Sequence, residues 1–139
     1  MGATTTFDWR GGDFYRDVEF AAKQGLTSAG QVAVNAIKQD MSKHSPPAPA
    51  GQAPAVRTGR LRSSVTKTTP YRSGARMVSI RIGSPVEYGK FLESGTTRMA
   101  ARPWLRPTAT GKASEMRTAF VNRASQALAR RVASRGGAA

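Results

Sequence analysis

The sequence predicts an α+β fold: a small antiparallel β-sheet flanked by a long N-terminal helix and a C-terminal helix. Three patterns carry this expectation. Phe14, Val18, Ala21, Gly25, Ala29, Val32 and Ala36 recur at steps of three and four, as one face of a helix requires. Val78, Ile80 and Ile82 alternate with Met77, Ser79 and Arg81, the signature of a half-buried strand. Met116, Phe120, Ala124, Ala127, Leu128 and Val132 return to helical spacing near the end. A length of 139 residues suits one folded unit, expected here over residues 13–135.

Each element has its own local cause. Residues 1–12 are expected to form a flexible arm, in which Phe7 and Trp9 stand two apart and could dock on one face of a strand. Gly11-Gly12 then interrupts regular structure. Asp13 can cap a first helix over residues 14–44. Asp17 and Glu19 complement the positive end of its dipole, and Lys43 and His44 the negative end. Leu26, Ile37 and Met41 widen its apolar stripe. Ser45-Pro46-Pro47 stops it. Its 31 residues would reach about 46 Å. Such a helix either bends near Gly25 and Gly30 or projects against a neighbour. Four prolines in residues 45–56 favour extended geometry, so this segment is expected to be a linker, spacer or mobile loop.

Thr58 to Ser63 then opens a short helical turn. A hairpin is expected over residues 64–83, with Val65 as its main anchor and Pro70 to Ala75 as its loop. One hairpin is marginal alone and needs a covering helix. A short helix over 86–93 would turn Tyr88, Phe91 and Leu92 to the core, with Gly95 supplying its left-handed end. Residues 97–107 form an Arg/Pro loop pinned by Trp104 and Leu105. The final helix is expected over 108–134 and a disordered tail over 136–139.

Composition removes several chemistries. The sequence has no Cys, which excludes disulfides, thiolate catalysis and cysteine zinc sites. One His, His44, cannot build a His-rich metal site, and only Glu87, Glu93 and Glu115 follow residue 45. Glu87 and Glu93 stand six apart and point in different directions on one helix, so they are not a paired acid and base. No G-x-S-x-G elbow, P-loop or dinucleotide fingerprint occurs. No apolar run reaches the roughly 18–20 residues that span a bilayer. The N-terminus lacks the basic head and apolar core of a signal peptide, which makes the cytoplasm the expected place of synthesis. The expectation is a chain with no catalytic residue, no metal and no cofactor.

Charge supplies the positive signal. The sequence carries 22 Lys+Arg against 8 Asp+Glu, a formal net charge of +14. Residues 1–45 are balanced, so the whole excess lies beyond them. Arg57, Arg60 and Arg62 with Lys67 form one cluster, and Arg98, Arg102 and Arg106 another. Arg117, Arg123, Arg130, Arg131 and Arg135 follow on the last helix. Such a surface attracts nucleic acid, a membrane or an acidic protein face. The spacing offers neither a clear recognition helix nor a stacking platform for single strands. Arginine also suits fixed protein interfaces, where its fork meets carboxylates. Protein interface or solvated surface therefore stands ahead of direct DNA contact.

Three stretches carry a resemblance. They are Thr58-Gly59-Arg60-Leu61-Arg62-Ser63-Ser64, Val86 to Thr96, and Met99 to Thr108. In that order they resemble the HK97-gp10-like family of tailed-bacteriophage neck or tail-completion proteins, also described as head–tail joining or minor tail components. The resemblance extends over most of the chain. It aligns Thr58, Gly59 and Leu61 with the family's turn before its first strand. Tyr88, Phe91 and Glu93 fall on its short aromatic segment, and Gly95-Thr96 on the turn after it. Arg102, Pro103, Leu105 and Pro107 fall on the loop into the last helix, with Trp104 where another aromatic is usual. Residues 45–56 are longer and more biased than the family pattern.

The resemblance implies a structural virion protein that performs no catalysis. It implies assembly with itself into a ring, hexameric by analogy, at the head–tail junction. The neighbours would be head–tail stopper or portal-side connector proteins on one side and tail-terminator or tail-tube proteins on the other. Contact with genomic DNA in the channel would be transient, and no membrane is involved. The protein would be made in the host bacterial cytoplasm and end in the virion. Arg57, Arg60, Arg62, Glu93, Arg98, Arg102 and Arg106 are the interface candidates. Glu93 could anchor the following loop by an ion pair with Arg98 or Arg102. A basic nucleic-acid-binding module and a tail-terminator ring protein are the alternatives.

Overall fold

The computed structural model describes residues 11–136. Residues 1–10 of the arm expected over 1–12, and 137–139 of the tail expected over 136–139, lie outside the described residues, while Gly136 belongs to the last helix. The architecture is α+β. A helix α1, Gly11–Met41, is followed by a short helix α2, Arg60–Ser64. Four short strands come next: β1 Thr66–Lys67, β2 Tyr71–Gly74, β3 Met77–Ser79 and β4 Ile82–Gly83. Helices α3 Tyr88–Ser94, α4 Arg106–Gly111 and α5 Ala113–Gly136 complete the order.

Helix α1 is the spine. It already includes Gly11 and Gly12, so that pair does not interrupt it, and Asp13 sits in its first turn rather than before it. Its buried row runs Asp17, Ala21, Gly25, Ala29, Ala33, Ile37 and Met41, at steps of four. Phe14 and Val18, which periodicity placed on the core face, are 52% and 38% exposed. The row is dominated by small residues, and this lets another helix lie close.

That helix is α5, packed antiparallel along α1. Arg135 pairs with Asp13 and Asp17, Arg131 lies 4.1 Å over the Phe20 ring, and Arg123 donates to Gln24 Oε1 at 3.1 Å. The two helices meet closely at Gly25. A Cβ there would stand 2.7 Å from the Phe120 ring and 2.9 Å from its carbonyl oxygen. Gly25 is therefore a contact point, and α1 continues through both it and Gly30. The expected single helix over 108–134 is divided at Lys112, beside Gly111, a residue that weakens helix continuation. Asp40, near the end of α1, accepts from Lys43 Nζ at 2.9 Å and from Thr108 Oγ1 at 3.0 Å, which ties α4 to α1. Lys43, then Thr108, hold its carboxyl below the usual range.

The hairpin forms two antiparallel pairs. Thr66 stands opposite Gly83 and Lys67 opposite Ile82; farther out, Tyr71 stands opposite Ser79 and Arg72 opposite Val78. Pro70 has no N–H to give, and the ladder divides there. The expected loop Pro70 to Ala75 is instead mostly strand, and the turn narrows to Ala75-Arg76. Val65 is 1% exposed, in accord with its role as anchor. Ile80 and Lys67 reach α1 at Gly30, and Arg72 hydrogen-bonds to Glu19 of α1. Arg72, then Lys23, hold the Glu19 carboxyl down to about 2.

The core sits at the far end of α1. Val34, Ile37 and Met41 meet Leu61, Val65 and Trp104 there, with Ile82, Leu92 and Leu105 packed around them.

Gly25→Ala forces the Phe120 backbone away from α1. Thermal unfolding followed by circular dichroism should show a loss of about 1–3 kcal/mol. Gly12→Ala, with nothing within 4 Å of the new methyl group, should leave stability level or raise it by less than about 1 kcal/mol.

Candidate protein-docking groove

A groove of about 680 Å³ opens beside the core, at the Met41 end of α1. Its apolar surface comes from Met41, Val56, Leu61, Tyr88, Leu92 and Met99, with Pro46, Pro47 and Pro54 closing one side. Arg57, Arg60, Arg62 and Arg102 also line it, and no acidic residue does. The structure thus brings the Thr58 turn, the aromatic of α3 and one loop arginine to a single site.

The Thr58 turn forms one wall. Gly59 has φ +74°, a backbone angle that favours glycine, and caps α2. Its carbonyl accepts from Ser63 N at 2.8 Å, and Thr58 Oγ1 accepts from Arg60 N at 3.4 Å. Leu61 points into the core while Arg60 and Arg62 flank it outward. Arg62 Nε donates to the Lys38 carbonyl at 3.2 Å, at the last turn of α1. Arg57 and Arg60 are exposed, and their guanidinium groups have no partner among the described residues.

Helix α3 differs from expectation. Tyr88 and Phe91 are 40% and 44% exposed, and the buried position is Gly89. The cause is Trp104. A Cβ on Gly89 would lie 3.3 Å from the indole and 3.1 Å from Leu61, so the missing side chain is what lets both approach. Trp104 Nε1 donates to the Gly89 carbonyl at 2.8 Å and satisfies its polar edge. With Gly89 inward, Tyr88 faces the groove, and Phe91 lies outside it beneath Lys90 Nζ at 4.9 Å.

Glu93 holds the loop 95–105 in place, though not by an ion pair. Its Oε2 accepts from Trp104 N at 2.7 Å and Leu105 N at 2.9 Å, and its Oε1 accepts from Arg106 N at 3.0 Å. Arg106 N–H is an unpaired donor of the first turn of α4 and the other two lie just before it; the helix's own N-cap residue, Leu105, has no side-chain acceptor. Pro107 follows in the first turn, where its missing N–H costs nothing. The expected pairing of Glu93 with Arg98 or Arg102 does not form. Arg102 donates from Nε to the Ala48 carbonyl at 3.0 Å and from its backbone N–H to the Leu92 carbonyl at 2.7 Å. Arg98 is exposed and lies outside the groove lining, and Arg106 is exposed at the start of α4. Gly95 takes φ +75°, and its Cβ position would touch Ala101 N at 2.9 Å. Thr96 bridges Met99 across the tip, and Pro103 is half-buried behind it.

The proline-rich segment 45–56 is packed, not a spacer. Ala48, Ala53 and Pro54 are buried, and Gly51 N donates to the Ala101 carbonyl at 2.9 Å. It forms the second wall of the groove. Sequence reasoning missed this wall, and also the capping role of Glu93. The alanines and valine among the prolines were the signal for the first. The absence of any Ser, Thr, Asp or Asn at the N-cap of α4 was the signal for the second.

Among the described residues, no cluster of His, Asp and Glu can hold a metal ion, and no helix is long and apolar enough to cross a membrane.

Glu93→Ala leaves three N–H groups without their acceptor and should cost about 1–3 kcal/mol in chemical unfolding. Glu93→Gln keeps one acceptor oxygen and should cost less. Arg98→Ala should fall within about 0.5 kcal/mol of the parent. Equal stability of the parent and Glu93→Ala would contradict the capping role.

The family model described as "Bacteriophage HK97-gp10, putative tail-component" matches residues 12–95, a range that holds α1, the Thr58 turn, the hairpin and α3. The loop after Gly95 and the last two helices lie beyond the matched range. No curated protein and no solved structure matches the chain. The match spans more than half of the sequence, and the chain belongs to the HK97-gp10-like family of bacteriophage tail components.

Proposed function

We propose that this protein is a structural, non-catalytic subunit of a ring at the phage head–tail junction. The ring joins the DNA-filled head to the tail and keeps the DNA channel continuous. It sits between a portal-side connector or stopper and a tail terminator or tail tube, and six copies fit the family analogy. The observation that carries this reading is the groove: an apolar surface edged by arginines, with Arg57 and Arg60 unpartnered and no acid in the lining among the described residues. An apolar centre with a charged rim suits a protein neighbour.

Several arginines of the last helix support the protein reading over nucleic-acid binding. Arg123, Arg131 and Arg135 make contacts to α1 within the subunit. A DNA channel also favours a lining that does not grip phosphate. Arg102 is held by the Ala48 carbonyl, which supports a role in shaping the groove wall.

Phage produced without this protein should accumulate filled heads and finished tails that do not join. Addition of the purified protein should restore joined particles visible by electron microscopy. Normal joined particles in its absence would overturn the proposal. Tight duplex binding that falls steeply with salt, by protein absent from particles, would favour the nucleic-acid module instead.

A further inference from the structure

We propose that the groove receives the Phe7-Asp8-Trp9 segment of a second copy of this chain. The inference rests on the ring reading and names the contact that would build the ring.

The chemistry of the two surfaces matches. The groove offers an apolar floor, and at its edge Arg57 and Arg60 have no partner among the described residues. Phe7-Asp8-Trp9 is the one place in the 139-residue sequence where an acid stands directly between two aromatics. A Phe and a Trp each bury about 150–250 Å² when docked. The groove's volume of about 680 Å³ lies in the range that accepts a compact ligand. Asp8 between them meets the arginine edge, where charge complementarity sets orientation and rate.

Geometry decides which copy supplies the segment. The groove lies at Met41, and the segment joins α1 at Gly11. The 31 residues of α1 separate those ends by about 46 Å. Phe7 is four residues before Gly11 and reaches at most about 14 Å from it. The segment cannot occupy its own groove. The segment must come from another copy, and in the ring each copy gives its segment to the next and accepts one from the copy before. That is a head-to-tail contact, which closes into a ring when the rotation permits.

The test uses the full chain carrying Phe7→Ser and Trp9→Ser, so that no copy fills a groove, and a fluorescent peptide of residues 1–12. Anisotropy should show saturable binding. Tyr88→Ser or Arg57→Glu in the chain, both at exposed positions, should each weaken it at least tenfold with unchanged circular dichroism. A peptide with Asp8→Lys should bind the Arg57→Glu chain better than the chain with Arg57. Failure of the peptide to bind, equal binding to the groove variants, or its displacement by duplex DNA would overturn the inference. Sedimentation velocity of the unaltered chain reads the ring separately. A ring that persists in the Phe7→Ser/Trp9→Ser chain overturns the segment exchange and leaves the ring reading standing. Groove-specific peptide binding by a chain that forms no larger species supports the docking and removes the ring reading.

Discussion

One carboxylate organises the groove end of the molecule. Glu93, in the last turn of α3, accepts from three successive backbone N–H groups before and at the start of α4. Hydrogen bonds to an ionised acceptor are among the stronger ones in proteins. The arrangement brings the two ends of the loop 95–105 together and sets Trp104 over Gly89. From there the consequences spread. The indole packs against Leu61, which fixes the Thr58 turn, and Arg102 and Ala101 hold the proline-rich segment by its carbonyl and amide. Both walls of the groove thus depend on a loop that one side chain closes.

The spine imposes a second constraint. Small residues along α1 let α5 lie close, and Gly25 admits the Phe120 ring where any side chain would collide. This packing engages several cations of the last helix inside the subunit. At the groove, Arg57 and Arg60 have no partner among the described residues. The excess charge is therefore sorted by the fold: part braces helix against helix, and part remains available to a neighbour. Asp17 is the buried partner at the far end, 4% exposed and 3.1 Å from Arg135.

Periodicity disclosed both long helices and the alternating stretch 77–83, which the structure divides into β3 and β4 with Ile80 between them. It misplaced Phe14 and Val18 because the buried row of α1 advances by fours and those two fall off it. It also put Tyr88 and Phe91 in the core. Aromatics attract that assignment, yet the glycine between them was the residue that tertiary contact selected. The groove was legible only in fragments. Its Thr58 turn, Tyr88 and Arg102 stood out as motifs, but no local pattern joins Tyr88 and Arg102 to Pro46, Pro47 and Pro54, which lie far earlier in the chain. Glu93 was expected to anchor the loop through an arginine, because charge spacing suggests one, while the backbone before and at the helix start offers three donors.

Amide hydrogen exchange at Trp104, Leu105 and Arg106 tests the central claim most directly. If Glu93 closes the loop, these three amides exchange slowly and together in the parent chain, and Glu93→Ala accelerates all three while the amides of α1 keep their protection. Rapid exchange of the three in the parent, at the rate of an open loop, would contradict the account.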